Sequence, residues 1–313
     1  MKVHIFDVES SERDTSLYPN INSYVIPFKE YMYNVSKISL LSAKISTPQF
    51  VICETNNTFT INYNGTYTDI SIPNGNYSNG VDFMTALSTA MNNAGVTINS
   101  VWDSANETIQ FSTSGIPFSF LFRDGTYGYN SDALRTTPHQ EMGFTSMDTP
   151  YSTSVTTGSL NLRGPSSLVV RISTGSDVFS KHVYSSTPFY TGRLLLDGSD
   201  FLNFVGRDDP VYYDFHKGPL KFMKDIKIEF FYMSHGRLIP YDFRNQDHVL
   251  KFEITCSTDK LENLSKPVEV AEEKEVFEPI LPRPEAPPIF EIEYLYIACI
   301  VFIGLFLIYR VRA

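Results

Sequence analysis

Residues 249–256 read VLKFEITC, and residues 226–233 read IKIEFFYM. In the first, Leu250, Phe252, Ile254 and Cys256 alternate with Lys251, Glu253 and Thr255. That period of two places one set on each face of a β-strand. In the second, Ile226, Ile228, Phe230 and Tyr232 share a face. Ile38 and Leu40 repeat the pattern, as do Phe59, Ile61 and Tyr63, and 107–113 and 167–173 are further strand candidates. Turn dipeptides separate these runs, among them Asn64-Gly65, Asp197-Gly198 and His235-Gly236. Many short strands at this spacing predict an all-β fold of antiparallel β-sandwich or jelly-roll-like modules. The 24 Phe and 19 Tyr in 313 residues fit half-buried pleated surfaces.

One helix is predicted, about 79–93. Phe83, Met84, Leu87, Ala90 and Met91 fall on one face, Ser78 or Asn79 caps the start and Gly95 follows the end. Its expected role is to cover an open sheet face or edge. The polar stretch 146–163 carries few large apolar residues and marks a boundary. The chain therefore divides into an N-terminal β module with the helix (1–150), a second β module (151–258), a stalk (259–293) and a C-terminal helix (294–311).

The stalk holds ten acids against four bases and six prolines. It cannot build a core and is expected to be extended. Behind it, Tyr294–Tyr309 is a run of sixteen residues without a charge. Leu295, Ile297, Ile300, Val301, Phe302, Ile303, Leu305, Phe306, Leu307 and Ile308 supply its apolar surface. Their summed insertion gain is at most roughly 3–6 kcal/mol. Tyr294 and Tyr309 suit the interfacial belts, and Arg310 and Arg312 snorkel outward. A transmembrane helix entering by its tail is expected. The N-terminus MKVHIFDVESSERD has no apolar run of signal-peptide length, which places residues 1 to about 290 on the cytosolic side.

The net charge of −10 argues against a nucleic-acid partner, and three cysteines against a disulfide scaffold. No phosphate loop, dinucleotide glycine pattern, zincin helix, nucleophile elbow or Cys-x-x-Cys pair occurs. The densest polar cluster is Asp208-Asp209, Asp214 and His216. A carboxylate–histidine metal site is conceivable there, but Asp-Asp-Pro is equally good turn chemistry. No catalytic residue, cofactor, metal or small-molecule substrate is expected.

Several motifs resemble, in order and spacing, the minor capsid proteins of the nucleocytoplasmic large DNA viruses of algae, amoebae and iridovirus hosts. They are ERDTSLYPNINSYVIPF (Glu12–Phe28), NVSKISLLSAKIS (Asn34–Ser46), IPNGNYSNGVDFMTAL (Ile72–Leu87), EMGFTS (Glu141–Ser146) and GRLIPYDFRNQDHVLKFEI (Gly236–Ile254). The resemblance covers most of residues 5–257. Met142 stands where that family carries Leu, and a proline expected after Ile45 is displaced to Pro48. The resemblance implies a non-enzymatic virion protein between the capsid shell and an internal lipid membrane. Its partners would be the major capsid protein, other minor capsid proteins and the bilayer. Arg13, Tyr18 and Pro19, in the most recognisable motif, become candidate shell contacts. A virion membrane protein for host attachment or entry is the alternative.

Overall fold

The structure is a computed structural model that describes residues 1–130, 134–175, 177–179, 189–207, 210–216, 218–258, 297 and 299–303. The chain divides into two units, Met1–Ser265 and Lys266–Ala313. In chain order the first contains β1 (Lys2–Glu9), β2 (Ser23–Ser46), β3 (Thr58–Tyr63), β4 (Thr66–Ser71), α1 (Gly80–Asn93), β5 (Asn99–Asp103), β6 (Thr108–Ser112) and β7 (Phe118–Leu121). Then come β8 (Ser154–Thr156), β9 (Ser167–Thr174), β10 (Asp177–Phe179), β11 (Gly192–Leu195), β12 (Phe201–Val205), β13 (Val211–Asp214), β14 (Leu220–Ser234), β15 (Arg237–Pro240) and β16 (His248–Cys256). All pairings are antiparallel, in one ten-stranded and two three-stranded sheets.

The large sheet runs β1-β16-β2-β14-β9-β10, with β12 and β13 also on β2. Its core takes the predicted face of β16 (Leu250, Phe252, Ile254, Cys256) and of β14 (Ile226, Ile228, Phe230, Tyr232). The 24-residue β2 joins two ladders. Residues 23–35 pair with β14, and residues 35–45 pair with β16. Two local features let it turn between them. Residues 28–31 bulge opposite Lys224, next to Pro27, which has no N–H for a ladder. Asn34 adopts φ +54, one of the few residue types that enters the left-handed region at modest cost.

The second core lies between the two small sheets, β4-β3-β7 and β5-β6-β8, and α1. The helix begins and ends where its caps predict. The Asp82 N–H donates to Asn79 Oδ1 at 2.9 Å, and Gly95 follows at φ +78. Phe83, Leu87 and Met91 are fully buried. Gly80 lets the helix start against Trp102, since a Cβ there would fall 2.3 Å from the indole. Phe120 sits at the centre, its ring 5.0–5.9 Å from those of Phe59, Phe111, Phe118, Phe122 and Phe144.

Core membership changes twice along the chain, between Ile45 and Ile52 and again between Met142 and Leu168. The first core draws on residues 8–45 and 168–256, and the second on residues 52–142. The cause is non-local pairing: β1 and β2 close against β14 and β16, and the second core is inserted between them. The stalk 259–293 lies outside the described residues. So do Tyr294, Leu295, Leu305, Phe306, Leu307, Ile308, Tyr309, Arg310 and Arg312 of the expected anchor. Residues 297 and 299–303 are helical and exposed. No helix among the described residues is long and apolar enough to cross a membrane.

Phe120→Ala should destabilise the protein by about 3–5 kcal/mol, since it empties the centre of a packed aromatic cluster. The single tryptophan, Trp102, packs on the same core, so its fluorescence in a urea titration reads the loss directly. An unshifted midpoint would show that the cluster contributes little.

Candidate interaction surface

The turn after β1 carries the candidate contact residues. Ser10–Glu12 form one 3₁₀ turn, and the Arg13 side chain folds back across it. Its Nη1 donates to the Ser10 carbonyl at 2.8 Å, Nε to that of Tyr18 at 3.0 Å and Nη2 to that of Pro19 at 3.4 Å. Asp247, just before β16, lies 3.6 Å from Nη1. The same Asp247 carboxylate accepts from Ser10 Oγ at 2.7 Å, and Ser10 Oγ accepts from the His248 N–H at 3.0 Å. Arg13 is thus spent inside the protein, its side chain only 9% exposed. Tyr18 packs half-buried against the first core, while Leu17 and Pro19 face solvent. The first and last recognisable sequence motifs meet in this knot.

Ser10, Asp247 and His248 are the residue types of a hydrolytic triad, but their geometry is different. Ser10 Oγ meets the His248 main chain, not the ring, and the ring Nε2 bonds the Tyr24 hydroxyl at 2.8 Å. A nucleophile needs its base within hydrogen-bond reach. His248 is sealed between Phe230 and Phe243, and burial pushes its pKa down to about 3. Of the other polar cluster, Asp208 and Asp209 lie outside the described residues. Asp214 ends β13, and the His216 N–H donates to its carbonyl. Among the described residues no three His, Cys, Asp or Glu side chains converge as metal ligands.

Two groups of exposed apolar side chains lie on the strands of the large sheet. Among the described residues β1 pairs with β16 alone, and it exposes Val3 and Ile5. Beside it a cleft of about 640 Å³ opens between β1 and β2, walled by Phe6, Ile26, Phe28 and Met32. Past the β2 bulge, Tyr31, Tyr33 and Phe222 are each more than half exposed, and Tyr33 stands opposite Phe222 in the ladder. Nothing in the local sequence pattern marks these aromatics as outward.

The geometry defines an all-β framework whose clustered polar side chains brace the chain and whose apolar β1 side chains and aromatics face outward. Residues 2–192 match a family described as Family of unknown function (DUF5901), and the chain belongs to that family. No curated protein matches it. Among solved structures, the mavirus penton protein aligns at 12% identity and a TM-score of 0.35, over 81% of this chain and 99% of that one. A chain from the cryo-EM structure of the Sputnik virophage aligns at 12% and 0.35, over 85% and 99%. At those scores the two alignments establish neither fold nor function for this chain.

Two predictions test the knot. Arg13→Lys should cost about 1.5–3 kcal/mol, because an ammonium cannot reach three divergent carbonyls as the guanidinium fork does. Full stability of that variant in urea would remove Arg13 from the brace. His248 is held neutral, so its contribution is complete above about pH 6.5 and is lost as pH falls toward 3. Between pH 7.5 and 5, parent stability should therefore fall by about 2 kcal/mol more than that of His248→Gln. Parallel pH profiles would assign the acid sensitivity elsewhere.

Proposed function

We propose that the chain is a structural minor capsid protein that ties an icosahedral capsid shell to an internal virion membrane. The observation that carries this reading is the charge-free run Tyr294–Tyr309, set behind an acidic proline-rich stretch that follows a β framework whose outer strand β1 has one partner among the described residues. The five ordered sequence motifs support the capsid part. In the structure they serve as strand, turn, cap and brace: the Glu12–Phe28 motif supplies Arg13, and Gly236–Ile254 supplies Asp247. Within EMGFTS, Gly143 at φ +74 lies against Gly158, where a Cβ would meet the Gly158 carbonyl oxygen. Motifs that set architecture are what a building block requires.

In this reading Tyr294–Arg312 inserts by its tail, and residues 1–258 stand on the shell side. An edge strand suits assembly, since its outer N–H and C=O groups can pair with a neighbour. Contact through the 13–19 turn would run over Leu17, Tyr18 and Pro19, because Arg13 is occupied internally. Partners are the major capsid protein and other minor capsid proteins.

Ile303→Arg places a charge near the centre of the anchor at a cost of about 2.5–3.5 kcal/mol, most of its apolar gain. Membrane flotation of the full chain should fall sharply, and unchanged flotation would assign membrane binding to another segment. Cross-linking mass spectrometry on intact particles tests the shell side. Links from residues 1–258 to a shell protein support the tether. Links only to other membrane proteins, with these residues open to antibody, would replace it with attachment or entry.

A further inference from the structure

Between the two cores lies a cavity of about 440 Å³ that contains the most unusual carboxylate among the described residues. Glu141 comes from the EMGFTS motif and is nine-tenths buried. Its Oε1 accepts one hydrogen bond, from Asn56 Nδ2 at 3.1 Å. Asn56 has no further capacity to shift toward it, because the same amide donates to the Val51 carbonyl and accepts the Cys53 N–H. None of the ion pairs among the described residues involves Glu141. Its own backbone N–H is the other group that favours the ionised form. A buried ionised carboxylate held by neutral donors alone is costly, and a protein removes the cost by protonation or by a cation.

The cavity walls indicate which cation fits. Phe144, Tyr232 and His235 present aromatic surface, and Val51, Pro165 and Met233 are apolar. Aromatic faces and a carboxylate attract a positive end, while an apolar wall takes a short alkyl stem. Gln49, Gln140, Thr145, Asn161 and Ser166 add neutral polar groups to the lining, but among these residues Glu141 is the single anion, and a hard divalent ion is held best by several carboxylates. We propose that this cavity binds an aliphatic ammonium or guanidinium group, with Glu141 as its counter-ion and residues of both cores as its walls.

Binding is coupled to protons. Without a cation, burial raises the Glu141 pKa to about 7. Around it, burial raises Cys53 and Tyr232 and lowers His235 and His139, each toward its neutral form. Arg237, whose charge acts on both histidines, stays cationic throughout. Glu141 itself titrates near neutrality, and a cation selects its ionised form.

The test is calorimetry on the full chain in detergent with n-butylammonium and n-butylguanidinium at pH 6, 7 and 8. Affinity for at least one should rise about tenfold from pH 6 to pH 8, following the ionised fraction of Glu141. n-Butanol should not bind, and Glu141→Gln should bind neither cation while keeping its Trp102 unfolding midpoint. Carboxyl-carbon NMR gives an independent reading, since the Glu141 titration should move to lower pH when the cation is added. Blocked tripeptides centred on Lys or Arg separate two sources of the same chemistry. Binding by a tripeptide identifies a side chain of a neighbouring polypeptide, and binding by the free amines alone identifies a small amine. No binding, pH-independent binding, or equal binding by Glu141→Gln or of n-butanol would overturn the proposal.

Discussion

The architecture depends on one strand belonging to two ladders. β2 pairs with β14 along its first half and with β16 along its second, and Val35 is opposed by Leu220 on one side and Cys256 on the other. A strand can serve two partners in different directions only if it coils or breaks its pleat, and bulges and left-handed residues are the usual means. The 28–31 bulge, Asn34 at φ +54 and the register shifts in the β16 ladder supply both. Once β2 is bent, the strands paired to it close around the first core. The Arg13 knot then ties the turn before β2 to the residue that opens β16, so the bent strand is held at its start and its long neighbour is held in register.

The inserted second core is joined to the first by polar contacts. Thr55 Oγ1 meets the Tyr232 hydroxyl, Thr136 Oγ1 meets Ser234 Oγ, and Gln49 accepts the Asp242 N–H, all at 2.8–2.9 Å. The rings of His139 and His235 lie 4.2 Å apart at a tilt of 46° across the same junction, at the tip of the β14–β15 hairpin. Hydrogen bonds specify position but fill space poorly compared with interdigitated apolar side chains. A cavity between the cores is the packing consequence. It explains why a carboxylate sits there while the two cores themselves are apolar.

The strands were legible because their signal is local. Leu250, Phe252 and Ile254 alternate with charged residues whatever else the chain does, and α1 shows its stripe and both caps within sixteen residues. The course of β2 was not legible. Proline and asparagine inside a strand normally argue for its end, and only the pairing of residues 23–46 with segments two hundred positions away shows that it continues. The same non-local pairing hides from any local pattern that residues 8–45 share their core with residues 168–256. Arg13 illustrates the limit for sites. A charged residue in a turn-forming motif reads as surface, yet three carbonyls left without strand partners draw its guanidinium inward.

Glu141 marks the other side of that limit. Its neighbours Met142 and Phe144 are apolar and the motif follows no strand or helix period, so sequence gives it no face. Its burial is set by Gly143, whose left-handed backbone brings the turn against Gly158 and fixes where residue 141 points its own carbonyl, toward the Asn161 N–H. A glycine required by backbone approach thus belongs to the turn whose main chain carries Glu141. Among the buried charged side chains, Glu229 has Arg171 and Lys227, while Glu141 has neutral donors, the Asn56 amide and its own backbone N–H. The first is a brace completed within the chain. The second has no cation paired to it among the described residues, and a buried carboxylate beside a cavity without a counter-ion is the physical signature of a site.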